Sequence, residues 1–285
     1  MNQAKYLRPG KLEDVLQALQ DWGDRARVLA GGTDLLIGLR RGIVKPGCVV
    51  DITGLDELSG IHQENGIVTI GALTTHSEVC QSEAMASWAP VLGAACREVG
   101  SRQIRNRASI GGNLAHASPA GDTIPAFYVL NAEIQLRSSQ GERWISAKDF
   151  FTGPGESVRR ADELLTAVRL SCFEGGEKGF FRKIGQRRAM TISKVSAAGA
   201  LVLKDNVVHR CRFALGAVAP TVIRLPDLEA FLSGKQLLPG VIEEAAQIAA
   251  QASLPIDDIR STVEYRRHMA GVLVKRGLNA IMEEV

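Results

Sequence analysis

Two stretches of this 285-residue chain concentrate residues that could do chemistry. LAGGTDLLIG, residues 29–38, sets Gly31-Gly32 behind a short apolar run and follows it with Thr33 and Asp34. SIGGNLAHASPAGD, residues 109–122, sets Gly111-Gly112 between Ser109 and Asn113, with His116, Ser118 and Asp122 downstream. Glycine admits positive φ and lets another group come close to the backbone. Successive N–H groups in such a turn converge on an anion. One such turn suits one phosphate, and two from separate loops suit a pyrophosphate. A glycine pair is equally the mark of a plain tight turn, and the residues alone leave both readings open.

Other chemistries lack their residues. No G-x-G-x-x-G follows the first strand, which argues against a Rossmann dinucleotide fold. Ser233-Gly234-Lys235 is followed by Gln236, so the phosphate-binding pattern G-x-x-x-x-G-K-[ST] is missing. Cys48, Cys80, Cys96, Cys172 and Cys211 are scattered, odd in number and never in C-x-x-C spacing. No disulfide framework, zinc site or iron–sulfur cluster is expected from them. The histidines show no ligand spacing, so no metal ligands are assigned. No nucleophile stands beside a base, so no catalytic residues are assigned either.

The net charge of +3 gives no reason to expect nucleic acid or an anionic membrane as a partner. Arg97, Arg102, Arg105 and Arg107 form a basic run with no aromatic interleaved, unlike a single-strand binding surface. They read as a solvated or subunit-facing surface, and Arg187-Arg188 take the same default. The first residues hold no apolar signal segment, and no run approaches the ~18 apolar residues of a membrane span. The expected compartment is the cytoplasm.

The elements that must position the glycine stretches follow from periodicity. Leu12, Val15, Leu16 and Leu19 share one helical face, with Gly23 at its end. ARVLAGG is a strand running into the first glycine pair, and GCVVDITGL and GIVTIGALTT are further strands. Ser77 to about Val99 is helical, with Pro90 opening its second part. DTIPAFYVL is a short buried helix. AEIQLRS and ERWISAKDF pair about Gln140-Gly141, FTGPGESV is a loop, and ADELLTAVRL is a strand. Composition shifts at SCFEGGEKG, residues 171–179, which marks a boundary. GFFRKIG, SAAGALVLKDNVV and CRFALGAVAP are then strands, followed by two helices. The last helix starts near Ser261, with Glu264 at capping-box spacing. Strands and helices do not alternate as in a doubly wound sheet, so the fold class is α+β.

LAGGTDLLIGLR, GSRQIRNRASIGGNLAHASPAGDTIPAF and FRKIGQRRAMTISKVSAAGAL, in this order along nearly the whole chain, resemble the FAD-binding medium subunit of the molybdenum hydroxylases. That family includes xanthine, nicotinate and aldehyde dehydrogenases and aerobic carbon monoxide dehydrogenase. FTGPG is similar to the xanthine dehydrogenase branch. The resemblance implies a two-subdomain FAD-binding domain of the vanillyl-alcohol oxidase (PCMH) type over residues 1–175, with subdomains of about 1–57 and 58–175. A carbon monoxide dehydrogenase flavoprotein C-terminal-like α+β domain would cover 176–285.

The resemblance also implies the site. Leu29, Ala30, Gly31, Gly32, Thr33, Asp34, Leu35 and Leu36 in the first loop, with Ile110, Gly111, Gly112 and Asn113 in the second, would hold the FAD pyrophosphate through backbone N–H groups. Ser109, Asn113 and Asp122 would bond ribityl, phosphate or ribose groups. Leu165 would lie against the isoalloxazine, and Lys183 would be the flavin-contacting lysine. Mammalian xanthine oxidases stack a phenylalanine on the flavin where this chain has Val99. Thr33 rather than His follows Gly31-Gly32, so FAD is expected to be non-covalent, without a link through His76 or His116, and His116 reads as a polar loop residue near the cofactor.

The implied function is electron transfer in a xanthine dehydrogenase-like molybdenum hydroxylase. A large subunit would carry the molybdenum cofactor and a small one two 2Fe–2S clusters, in a dimer of heterotrimers. NAD or another acceptor would take the electrons. The alternative is a free-standing flavin oxidoreductase of the same fold, which would need its own acid or base over the flavin.

Overall fold

Short apolar strands joined by an amphipathic helix build the first layer. In the computed structural model, which describes residues 4–173, 176–187 and 189–283, β1 (Lys5–Leu7), α1 (Leu12–Trp22), β2 (Ala26–Leu29), α2 (Leu35–Arg40) and β3 (Cys48–Asp51) follow one another. The strands form a parallel sheet in the order β1-β3-β2. Parallel neighbours need crossovers, so this layer does alternate strand and helix, unlike the expectation for the whole chain. Leu12, Val15, Leu16 and Leu19 are buried against the sheet, and Gly23 ends α1 at φ +49°.

The second layer is an antiparallel sheet with most of its helices inserted between two of its strands. β4 (Ile61–Glu64) and β5 (Ile67–Gly71) precede α3 (His76–Gln81), α4 (Glu83–Trp88), α5 (Pro90–Glu98), α6 (Arg102–Arg105), α7 (Ile110–His116) and α8 (Thr123–Val129). Then come β6 (Glu133–Ser138), β7 (Gly141–Ser146), α9 (Ala147–Phe150), β8 (Phe151–Gly153), β9 (Glu156–Ser157) and β10 (Leu164–Ser171). The sheet order is β4-β5-β10-β6-β7. The helical stretch after Ser77 is broken at Ser82 as well as at Pro90, because the Ser82 hydroxyl caps α4 by accepting from the Met85 N–H at 3.2 Å. FTGPGESV is a small hairpin, β8–β9, rather than a loop, with Gly155 at φ +76° in its turn.

The third layer holds β11 (Glu177–Ile184), β12 (Val195–Lys204), β13 (Val207–Gly216) and β14 (Ile223–Arg224), then α10 (Pro226–Leu232), α11 (Pro239–Ala252) and α12 (Val263–Glu283). SAAGALVLKDNVV is two strands, because Asp205 and Asn206 both take positive φ and reverse the chain. Three helices follow among the described residues, since α10 is a separate element opened by Pro226. The cap of α12 is Thr262, one residue beyond the expected Ser261: its Oγ1 accepts from the Tyr265 N–H at 3.3 Å. Glu174 and Gly175 in the boundary stretch, and Arg188, lie outside the described residues.

The third sheet is buried on both faces, and its period of two divides its side chains between two cores. Phe181, Ala198, Ala200 and Ala214 join the core of the second layer. Phe180, Ala197, Leu201, Phe213 and Leu215 join α10, α11 and α12. The alanines let α8 lie close to β12 and β13. Two arginines of this sheet then close the end of α8: Arg212 Nε donates to Val129 O, and Arg224 Nη1 donates to Tyr128 O at 3.2 Å. Carbonyls in the last turn of a helix otherwise lack partners.

Gly271 fixes the approach of α12 to α11. A Cβ there would sit 2.5 Å from Ala246 O. Alanine gains about 1 kcal/mol in helix propensity, but overpacking typically costs about 1–3 kcal/mol, and a main-chain oxygen cannot rotate aside. Gly271→Ala should therefore lower the urea midpoint at an unchanged m-value. A raised midpoint would show that the two helices have slack.

Candidate functional site

The C-terminal ends of β2 and β3 point toward a cleft of about 1400 Å³ that runs between the three layers. Ala30, Gly31, Gly32, Thr33, Asp34 and Leu35 line one side. Ser109, Gly111, Gly112 and Asn113 at the start of α7, with Asp122, line another. Val99 and Leu165 contribute apolar wall, and Met190, Ile192, Ala217 and Arg266 enter from the third layer.

The four glycines do different jobs. A Cβ on Gly31 would meet Arg107 O at 2.0 Å, so the first loop packs directly on the backbone that leads into the second. A Cβ on Gly111 would come within 2.9 Å of the Ala72 Cα and O. Gly32 alone among the four has positive φ, +73°. A Cβ on Gly112 would meet only side-chain atoms, Ser109 Oγ at 3.0 Å and Ala30 Cβ at 4.0 Å, so this glycine borders the cleft without packing on a backbone.

The second stretch is therefore not a positive-φ turn, as its glycine pair suggested, but the first turn of a helix. Ser109 is its cap, accepting the Gly112 N–H on Oγ at 3.2 Å. The amides of Ile110, Gly111 and Asn113 donate to Thr74 O, Ala72 O and Ser109 O. In the first loop the amides of Gly31, Gly32, Thr33 and Asp34 have no acceptor among the described residues. An anion in the cleft would thus find free amides on one side. On the other it would find the Ser109 hydroxyl hydrogen and the Asn113 side-chain amide, whose Oδ1 is already bonded to Thr123 Oγ1 at 2.6 Å.

Asp122 is the charged group of the cleft wall. Lys183 Nζ lies 2.7 Å from its Oδ2, and the two side chains are only 6% and 9% exposed. Ser193 Oγ donates to Oδ1 at 2.6 Å. Burial raises the Asp122 pKa, against the pull of Lys183 and Ser193. Lys183 also donates to Glu98 O at 2.8 Å and Thr191 O at 3.3 Å. Its charge thus stands behind Asp122 and does not line the cleft. Leu29, Leu36 and Ile110 do not reach the cleft surface either. The Leu29 and Leu36 side chains pack beside Gly32, and Ile110 is core.

Several wall residues carried no sequence signal. Ala217 sits in the left-handed region at φ +62°, donating to Pro119 O at 2.9 Å and accepting from Arg266 Nη1 at 2.9 Å. Arg266 also faces Asp258, which the Arg260 N–H and Arg266 hold at about 2 although burial alone would raise it. His116 Nε2 lies 4.0 Å from Asp34 Oδ1, across the two loops. Only the positive φ of a non-glycine residue could have marked Ala217, and that is a tertiary property. Among the described residues no His, Cys, Asp or Glu cluster could hold a metal ion, and no helix is long and apolar enough to cross a membrane.

Two outcomes test this geometry. Gly112→Ala should fold normally and lose cleft ligand, whereas Gly111→Ala should destabilise the chain itself. Equal ligand retention by Gly112→Ala and wild type would mean that Gly112 does not face the ligand. Lys183→Met leaves a buried Asp122 without its cation and should cost about 3–5 kcal/mol. The double change with Asp122→Asn should cost less. Additive losses in denaturant titrations would show that the two groups are not coupled.

Known proteins share this architecture. The family model described as the FAD binding domain in molybdopterin dehydrogenase matches residues 2–170, and that of the CO dehydrogenase flavoprotein C-terminal domain matches residues 180–281. The carbon monoxide dehydrogenase medium chain of Hydrogenophaga pseudoflava is 31% identical, the match covering 97% of this chain and 96% of that protein. A putative xanthine dehydrogenase FAD-binding subunit of Escherichia coli is 30% identical, over 96% and 94% of the two chains. The solved carbon monoxide dehydrogenase from Hydrogenophaga pseudoflava superposes with a TM-score of 0.95 at 30% identity, covering 99% and 98%. Quinoline 2-oxidoreductase from Pseudomonas putida superposes at 0.93 and 30%, with the same coverage. On these matches the chain belongs to the FAD-binding medium subunits of the molybdenum hydroxylase family.

Proposed function

We propose that the chain holds non-covalent FAD in the cleft and relays electrons within a xanthine dehydrogenase-like molybdenum hydroxylase complex. The observation that carries this is the row of unpartnered amides at Gly31, Gly32, Thr33 and Asp34, opposite Gly112. A row of free donors on a half-buried loop fits an anionic group, and a cleft of about 1400 Å³ has room for a dinucleotide. FAD supplies the capacity to accept and release electrons; the protein supplies position and electrostatics.

In this reading the first-loop amides donate to pyrophosphate oxygens, and Ser109 and Asn113 donate from the other side. Leu35 closes the loop into α2, while Leu29, Leu36 and Ile110 hold both loops in place. Val99 and Leu165 exclude water beside the flavin. Asp122 takes up ribityl or ribose hydroxyls, and Lys183 tunes the site by setting the charge of Asp122. The FAD-binding part corresponds to about residues 1–175 and the C-terminal part to 176–285. Partners are a small subunit with 2Fe–2S clusters and a large subunit with the molybdenum cofactor, as a cytoplasmic dimer of heterotrimers. NAD or another acceptor takes the electrons. A free-standing flavin oxidoreductase is the weaker reading, because it would need its own acid or base over the flavin.

A ligand that binds only the folded chain stabilises it by RT ln(1 + [L]/Kd), about 2.7 kcal/mol at 100 Kd. FAD should raise the melting temperature of the stripped protein well above the effect of FMN, which lacks the adenosine and pyrophosphate. Equal effects would rule out a dinucleotide site. Native purification should bring two further chains with molybdenum and iron; a chain that purifies alone with bound flavin would favour the free-standing enzyme.

A further inference from the structure

We infer that His76 is a cofactor contact: its Nε2–H donates a hydrogen bond from the cleft wall to an acceptor atom of bound FAD. The inference rests on the FAD reading above and adds a residue to it. His76 is fully buried yet borders the cleft. Its Nε2 has no hydrogen-bond partner among the described residues. A buried polar atom left unpartnered costs about 1–3 kcal/mol, and native folds keep few such atoms without a reason.

The other ring nitrogen fixes what Nε2 can do. Nδ1 lies 3.5 Å from Cys96 Sγ. Burial pushes the Cys96 thiol well above its ordinary pKa, so it keeps its proton. The protonated thiol can donate to Nδ1, and its sulfur is only a weak acceptor in return. Burial, with the charge of Arg105 adding to it, pulls the imidazole down to about 4, so the ring is neutral at pH 7 and carries one proton. With Nδ1 accepting, that proton is on Nε2. The pair therefore presents a neutral donor, not a cation, and its strength does not change across the neutral pH range.

The ring is held where a ligand would meet it. Thr75 and Glu78 form a capping box that fixes the start of α3. The His76 N–H donates to Ala108 O at 3.1 Å, one residue before the Ser109 cap. Val99, Gly100 and Ser101 border the same cleft.

The test uses the full chain, stripped of FAD and reloaded. Nitrogen-15 NMR of the wild-type imidazole should show the proton on Nε2 in both forms, with its resonance shifted and its solvent exchange slowed by FAD. His76→Phe should bind FAD about fivefold more weakly with no loss of melting temperature in the stripped form, and His76→Gln should recover part of the affinity. A structural histidine would instead lower stability and leave affinity alone. A proton on Nδ1, a resonance that ignores FAD, or wild-type affinity in His76→Phe would overturn the assignment. Wild-type protein that fails to bind FAD would overturn the underlying cofactor reading, whatever the tautomer.

Discussion

The structure turns on two backbone contacts that only glycine permits. Gly31 lets the first loop rest on Arg107 O, and Gly111 lets α7 rest on the backbone at Ala72. These contacts bring the end of a parallel strand in the first layer against the start of a helix in the second. Without them the two loops would be separated by side chains, and no continuous cleft would run between the layers. Gly32 and Gly112 then act locally, one by its positive φ and one by bordering the cleft without packing on a backbone. Each pair thus joins one packing glycine to one that shapes the cleft.

The third layer closes the cleft by sharing a core rather than by resting on a surface. Phe181 and three alanines of its sheet belong to the core of the second layer, while the alternate residues pack on α10, α11 and α12. Arg212 and Arg224 complete the carbonyl end of α8, which binds the sheet to that helix by directed bonds as well as by burial. The Asp122–Lys183 pair spans the same junction next to the cleft. Such a pair is costly to break and contributes less than its geometry suggests, because both groups give up water. Its consequence is to keep the charge at the cleft wall near neutral.

The chemistry of the site is one of holding. Free amides, a hydroxyl, a side-chain amide and a neutral imidazole are donors that can orient an oxygen-rich ligand without competing with it for protons. Apolar Val99 and Leu165 flank them. That composition suits a family in which the cofactor performs the redox step and the protein sets its position.

Much of the first and second layers was readable from periodicity. The face of α1, the strands β2, β3 and β5, the hairpin β6–β7 and the buried α8 follow from apolar spacing, since each buries one face or all of itself. The glycine pairs marked both sides of the cleft. Their division of labour was not readable, because it depends on which backbone distant in sequence, Arg107 for Gly31 and Ala72 for Gly111, lies within 3 Å of the glycine. Nor was the state of α7: glycine lowers helix propensity, yet Ser109 capping and the carbonyls of Ala72 and Thr74 hold those residues helical. Lys183 reads as an alternating strand lysine, and only the assembled layers put it behind Asp122. His76 reads as the residue just before a helix expected from Ser77, whereas the helix starts at His76. Its orphaned nitrogen exists because tertiary packing buries the ring beside Cys96 at the border of the cleft. Sequence alone determined which segments would fold and marked the two glycine stretches that line the cleft. Tertiary structure decided which atoms of those segments remain free there, because that depends on where every other donor and acceptor has already been used.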